Sequence, residues 1–400
     1  MTLDQTALAP RMAHIKPFVV MEIQRRAFEL EATGRNIIHL EIGQPDFGAP
    51  PSVVTAATHA LQSDPLGYTG ALGIMPLRRA IAQWYRERFN VVVSAEQIIV
   101  TAGASGAFLI VCGSLIGSGD EVLMPDPCYP CNRHFVRMFE GVPVTIAAGA
   151  RQNYQLDAAT VQAHWGAKTR AAMLATPSNP TGTEITADAL RDIATVVRDR
   201  RGLLIVDEIY QALSYADEHG QRQDGTVLSY APEAIVINSF SKYFGMTGWR
   251  LGWIVAPAPL VAQMERFAQN AFICPSAPAQ HAALAALQPE AITVFEQRRV
   301  EFERRRDYIV PALRALGFSI PTLPTGAFYV YADCSRLTDD SARFAWDVLE
   351  QAGVAITPGG DFGNHQAERY VRFAYTRSMN DLREGVQRLA RFLGRPVPSG

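Results

Sequence analysis

Leu203-Leu-Ile-Val-Asp-Glu-Ile-Tyr210 opens on four apolar residues and ends on two carboxylates and a phenol. Four apolar side chains without polar alternation read as a strand buried on both faces, the habit of a parallel sheet. Moving outward, Arg170–Ala175 and Ala234–Asn238 read the same way, and further strands are expected at Gln97–Thr101, Glu121–Met124, Val142–Ala147 and Gly252–Val255. Helical patterns lie between them at Ser105–Ile116, Cys131–Phe139, Thr186–Arg200 and Pro259–Ala271. This alternation predicts an α/β domain over 49–289, a mostly parallel sheet flanked by helices. After Pro289 the texture changes. Ala291–Leu316 reads as a long charged helix, Phe328–Ala332 and Tyr370–Tyr375 as strands, Ser341–Gln351 and Asn380–Leu393 as helices. These predict a smaller α+β domain of 290–400, joined by 1–48 with a helix near Val20–Thr33. The run Glu301–Asp307 mixes charges of both signs and is expected to be a solvated helix face.

Composition narrows the function. The 400 residues are 48% hydrophobic and 19% charged, which excludes a disordered chain. A formal net charge of −2 offers no basic excess for holding nucleic acid. No stretch resembles a membrane span, and Met-Thr-Leu-Asp-Gln lacks the basic flank and apolar run of a secretory signal. Five sparse cysteines point to a reduced, cytoplasmic setting. Of 37 basic residues only Lys16, Lys168 and Lys242 are lysine, so lysine chemistry has three candidates.

Several motifs fail on inspection. Leu203–Glu208 resembles a Walker B strand, but no lysine sits in a Gly-Lys-Ser/Thr loop. Ser239-Phe-Ser-Lys242 lacks the Lys-Thr-Gly that accompanies Ser-x-x-Lys enzymes, and Gly103-Ala-Ser-Gly-Ala107 falls one residue short of a nucleophile elbow. Cys128-x-x-Cys131 has no second ligand pair, so no metal is expected.

The remaining features converge. Gly103-Ala104-Ser105 follows a buried strand and opens a helix, a ready anion site. Ser239, Ser241 and Arg250 add hydroxyls and a guanidinium suited to a phosphate. Between them sits Lys242, whose ammonium beside Arg250 should have a lowered pKa and serve as an amine nucleophile. Asp207 ends its strand at the sheet edge where α/β ligand sites form. Asn179, in Pro-Ser-Asn-Pro-Thr-Gly182, follows another strand to the same edge. A phosphate site, an imine-forming lysine and a buried carboxylate together describe a pocket for pyridoxal 5'-phosphate.

With these residues in hand, the chain resembles the class I/II aminotransferases, the fold-type I pyridoxal phosphate enzymes related to aspartate aminotransferase. The likeness runs from Glu41-Ile-Gly-Gln-Pro-Asp46 to Tyr370-Val-Arg372 and is most specific in Ser239-Phe-Ser-Lys-Tyr-Phe-Gly-Met-Thr-Gly-Trp-Arg-Leu-Gly-Trp253. The resemblance implies that Lys242 is the Schiff-base lysine and proton shuttle of a ping-pong transamination between an L-amino acid and a 2-oxo acid. It implies that Asp207 holds the pyridine nitrogen, and that Tyr210 and Asn179 reach the ring oxygen. By the same resemblance Tyr129 would stack on the ring, where aspartate enzymes of the family often carry Trp, and Ser239, Ser241, Arg250 and the Gly103–Ser105 turn would hold the phosphate. Gly43 and Arg372 would bind the substrate α-carboxylate, and Tyr68 would reach the phosphate of the other subunit of a homodimer with shared sites. His14–Phe18 and Phe328-Tyr329 would line the side-chain pocket. No residue matches an arginine for a second substrate carboxylate. A lyase or synthase of the same fold would use the same lysine and carboxylate.

Overall fold

The computed structural model describes residues 8–398. In chain order the helices and strands are α1 (Val19–Ala32), β1 (Ile38–His39), α2 (Pro51–Ser63), α3 (Met75–Phe89), β2 (Ile98–Thr101), α4 (Gly103–Leu115), β3 (Glu121–Asp126), α5 (Pro130–Met138), β4 (Val142–Ala147), α6 (Ala158–His164), β5 (Thr169–Ala175), α7 (Ala187–Asp199), β6 (Leu203–Asp207), β7 (Ile235–Ser239) and β8 (Gly252–Val255). The rest are α8 (Ala258–Ala271), α9 (Ala277–Ala286), α10 (Pro289–Ala315), β9 (Tyr329–Asp333), α11 (Ser341–Asp347), β10 (Val354–Ala355), β11 (Thr357–Pro358), β12 (Tyr370–Ala374) and α12 (Met379–Phe392).

Seven strands form one sheet in the order β2-β8-β7-β6-β5-β3-β4. β4, β3, β5, β6 and β7 run parallel, while β8 is antiparallel to both β7 and β2. The apolar runs are buried as their composition requires: every residue of β2, β7 and β8, and all but the first of β6. α4 buries Ala107, Phe108, Ile110, Val111 and Cys112. The amphipathic α7 buries Leu190, Ile193, Ala194 and Val197, a helical stripe, and the Thr186 hydroxyl caps it by accepting from the Ala189 N–H.

β11-β12-β9 form a small antiparallel sheet, and β1 pairs in parallel with β10, Ile38 against Val354. α1 is fixed to the same region by the Arg26–Glu350 ion pair at 2.6 Å.

The run within α10 departs from the expected solvated face. Arg304 is exposed, but Arg305 and Arg306 are only 3% and 4% exposed. Arg305 forks onto Asp46 at 2.8 and 2.9 Å, and Arg306 donates to the carbonyls of Ala216 and Pro324. A guanidinium can be buried where carboxylates and carbonyls match its planar donors. The mixed charges of Glu301–Asp307 carry no sign of these partners, of which Asp46 and Ala216 lie far along the chain.

Candidate active site

The sheet order assembles the site. β2, β5, β6 and β7 share one direction, so Thr101, Ala175, Asp207 and Ser239 end at one edge. β8 runs the other way, so its beginning meets their ends and brings Arg250 to the same place. A cavity of about 290 Å³ opens there. Its walls include Ala104, Ser105, Tyr129, Asn179, Asp207, Tyr210, Ser239, Ser241, Lys242, Arg250, Gly43 and Arg372. Of the residues expected to hold the cofactor or the substrate α-carboxylate, all but Gly103 and Tyr68 reach the cavity.

Gly103 stands just behind the wall. Its φ of +72° turns the chain from β2 into α4, and a Cβ there would meet Arg250 Nη2 at 2.5 Å. The unpaired N–H groups of the first turn of α4 thus lie beside a guanidinium. Arg250 Nη1 donates to Ser241 Oγ at 3.3 Å, and the Ser241 N–H donates to Ser239 Oγ at 3.0 Å. These donors lie together in an arrangement chemically suited to an anion such as a phosphate.

Asp207 is 3% exposed, and its Oδ1 accepts from the Ile209 N–H at 3.1 Å. Burial pushes its carboxyl up to about 7, against that hydrogen bond and the nearby Lys242. Such a carboxylate gains most from a cationic partner. Lys242 Nζ donates to the Gly43 carbonyl at 2.7 Å. Burial, helped by Arg372 and Arg250, pushes its amine down to about 8, so an appreciable fraction is neutral and nucleophilic near neutral pH. Gly43 cannot be replaced, because a Cβ would fall 1.7 Å from Tyr329 Oη.

Arg372 lies between two rings, 4.5 Å from the centroid of Tyr329 and 4.8 Å from that of Phe362. Its Nη1 donates to Asn179 Oδ1 at 2.9 Å, and its Nη2 donates to the Glu41 carbonyl and to Thr357 Oγ1. Its Nε is buried with no partner, a donor available to a bound anion. The Tyr210 and Tyr329 hydroxyls are 2.7 Å apart. Two phenols sharing one hydrogen bond keep a second proton to donate elsewhere. Burial holds both above the ordinary phenol range, so they remain protonated.

Some expectations need correction. Phe328 is buried but does not line the cavity; it packs edge-on against Tyr210, while its neighbour Tyr329 faces in. Of His14–Phe18 only Phe18 reaches the wall, 6.1 Å from the Tyr129 ring. Tyr68 is 85% exposed and away from the cavity of its own chain. Sequence reasoning missed Asp361 and Phe362. The Asp361 carboxylate accepts from the Val19 and Val20 N–H groups at 2.9 and 3.1 Å, fastening the start of α1 over the opening. The turn Pro358-Gly-Gly-Asp361 marks a loop, but nothing local says what that loop touches.

The aminotransferase class I and II family matches residues 35–389. A valine–pyruvate aminotransferase of Mycobacterium tuberculosis is 36% identical over 390 residues, 98% of this chain and 99% of that protein. An aspartate/prephenate aminotransferase of Thermus thermophilus is 34% identical over 391 residues, covering 97% and 99%. The crystal structure of an aminotransferase from Mycobacterium tuberculosis superposes with a TM-score of 0.93 at 36% identity, covering 98% of this chain and 100% of that one.

Proposed function

Since this chain belongs to the class I and II aminotransferases and is a fold-type I enzyme dependent on pyridoxal 5'-phosphate, we propose that it moves the amino group of an L-amino acid with an uncharged, apolar side chain to a 2-oxo acid. One observation carries the choice of substrate. The cavity of one chain is lined by three cations among the described residues, and on this reading each has a task, Lys242 at the cofactor, Arg250 at its phosphate and Arg372 at the substrate α-carboxylate. None is left for a second carboxylate, and Asp361 would repel one. The wall left for a side chain is Phe18, Val20, Met21, Ile42 and Phe362. The valine–pyruvate activity named for the Mycobacterium tuberculosis relative fits such a pocket.

When bound, pyridoxal phosphate supplies an electron sink for the charge that develops at the substrate Cα. The residues of this chain do the rest. Ser239, Ser241, Arg250 and the Gly103–Ser105 turn hold the phosphate. Asp207 offers the ring nitrogen a buried counter-charge, and Tyr129 covers the ring face. Asn179 is held by Arg372, and Tyr210 by Tyr329; both would donate to the ring oxygen. Arg372 and Gly43 orient the substrate carboxylate. Lys242 holds the cofactor through its amine and, displaced by substrate, carries the Cα proton as base and then acid.

The 85% exposure of Tyr68 in a single chain supports a homodimer in which it reaches the partner's site. The confinement of the seven-stranded sheet to residues 98–255 supports a large domain of 49–289 and a small one of 1–48 with 290–400. The free cysteines favour a cytoplasmic setting. No helix among the described residues is long and apolar enough to cross a membrane.

A half-reaction screen tests the substrate. Single amino acids are mixed with purified holoenzyme while the cofactor absorbance is followed. Valine, alanine and other neutral amino acids should convert the cofactor faster than aspartate. Aspartate as the fastest substrate would overturn the reading of the pocket.

A further inference from the structure

Behind the segment that precedes α1 lies a second cavity of about 160 Å³. It is walled by that segment, by one face of α5, by β4 and by the loop after Gly359. Its polar lining is strongly basic: Lys16, Arg133, His134 and Arg137 all face it. Among the described residues, Lys16, Arg133 and Arg137 form no ion pair. Arg133 donates to the carbonyls of Asp361 and Phe362, and Arg137 to that of His14; Arg133 is near enough to the Asp361 carboxylate to favour its charge, but neither guanidinium is hydrogen-bonded to a carboxylate. His134 is 9% exposed, and its Nδ1 is buried without any partner. The one carboxylate at the wall, Asp361, is already committed to the N–H groups of Val19 and Val20.

Two half-buried guanidiniums and an exposed ammonium gathered in one place repel one another, and a buried ring nitrogen without a partner loses a hydrogen bond. One bound oxyanion would relieve both. We propose that this cavity is a binding site for a free, small, divalent oxyanion of the phosphate type, held by Lys16, Arg133, Arg137 and the His134 Nδ1–H. The volume suffices, since a single water needs only about 10–15 Å³. Burial and the adjacent cations hold the imidazole below its ordinary pKa, so it meets the anion as a neutral donor. Phe18, Pro130 and Asp361 line both this cavity and the active site and so partition them. An anion joining Lys16 to α5 would therefore fasten Phe18 at the substrate opening.

Calorimetric titration of the holoenzyme with inorganic phosphate, without substrate, tests the site independently of the transamination reading. Saturable binding is expected at one ion per chain. Lys16→Gln, at an exposed position that cannot unfold the chain, and Arg137→Gln should each weaken it about tenfold or more, the loss of one charge-assisted hydrogen bond. Arg372→Lys should leave it unchanged. Absent binding, binding indifferent to both Lys16→Gln and Arg137→Gln, or binding lost in Arg372→Lys would each overturn the proposal. The small volume further predicts that inorganic phosphate binds more tightly than a phosphomonoester such as glycerol phosphate. The reverse order would assign the pocket to the end of a larger ligand and overturn the free-ion site.

Discussion

Replacing Asp207 with Asn should make the cofactor-free protein more stable and the enzyme nearly inactive, and both effects follow from one buried charge. Burial raises the Asp207 carboxyl from 3.8 to about 7. At about 1.36 kcal/mol per pH unit, this converts to about 4 kcal/mol. The sign follows from proton counting. Between pH 4 and 7 the folded state keeps a proton that the unfolded chain has released, so stability falls as pH rises through this window and the deficit is complete above about pH 7. Asparagine is neutral throughout. Wild-type and Asp207→Asn apoproteins should therefore melt alike near pH 4, with the variant several degrees higher at pH 8 by calorimetry. Stored against the protein's own stability, the charge becomes useful once a cation meets it. The holoenzyme variant should lose about 4 kcal/mol of transition-state stabilisation, roughly a thousandfold in the half-reaction. A melting difference that does not change with pH, or turnover within tenfold of wild type, would refute the reasoning.

Arg372→Lys removes the fork to Asn179, Glu41 and Thr357 and the sandwich between Tyr329 and Phe362. With about 1.5–3 kcal/mol for a charge-assisted hydrogen bond and about 1 for stacking, kcat/KM should fall roughly 70- to 900-fold for every amino acid, with the cofactor retained; loss confined to one substrate would place Arg372 on a side chain. Tyr329→Phe leaves the Tyr210 hydroxyl without its 2.7 Å partner, a change of about 1 kcal/mol that should slow the half-reaction roughly fivefold; wild-type kinetics would make the pair merely structural. Co-refolding Lys242→Ala with Tyr68→Ala chains should raise activity above either parent, toward about half of wild type per dimer, because one mixed site is intact; activity at the average of the parents would place Tyr68 in its own chain's chemistry or in none.

The large sheet was legible because its strands are apolar on both faces: Leu203–Asp207 and Gly252–Val255 announce themselves without any partner. That β8 runs antiparallel was not, since direction depends on a connection and not on composition. Helices α2 and α9 were missed for local reasons. Val53, Val54, Thr55 and Thr58 give α2 a strand-like composition, and Pro275 and Pro278 around the start of α9 read as a loop. These helices pack through small residues, Ala57 and Ala60 in one and Ala279, Ala282 and Ala283 in the other, which carry little hydrophobic signal alone. In the cavity, residues with strong chemistry at strand ends could be found from spacing. Asp361 and Phe362 stand at the site because of contacts far along the chain, as Asp361 makes with Val19, and the hydrogen bond of Tyr329 to Tyr210 likewise shows only in the folded chain.

The central claim is that Lys242 is the amine that holds pyridoxal phosphate, and borohydride reduction of the holoenzyme tests it directly. After reduction and proteolysis, mass spectrometry should find the cofactor on the peptide containing Ser241-Lys242-Tyr243 and nowhere else, and Lys242→Ala should carry none. The cofactor fixed to Lys16 or Lys168, or labelling that persists in Lys242→Ala, would contradict the account.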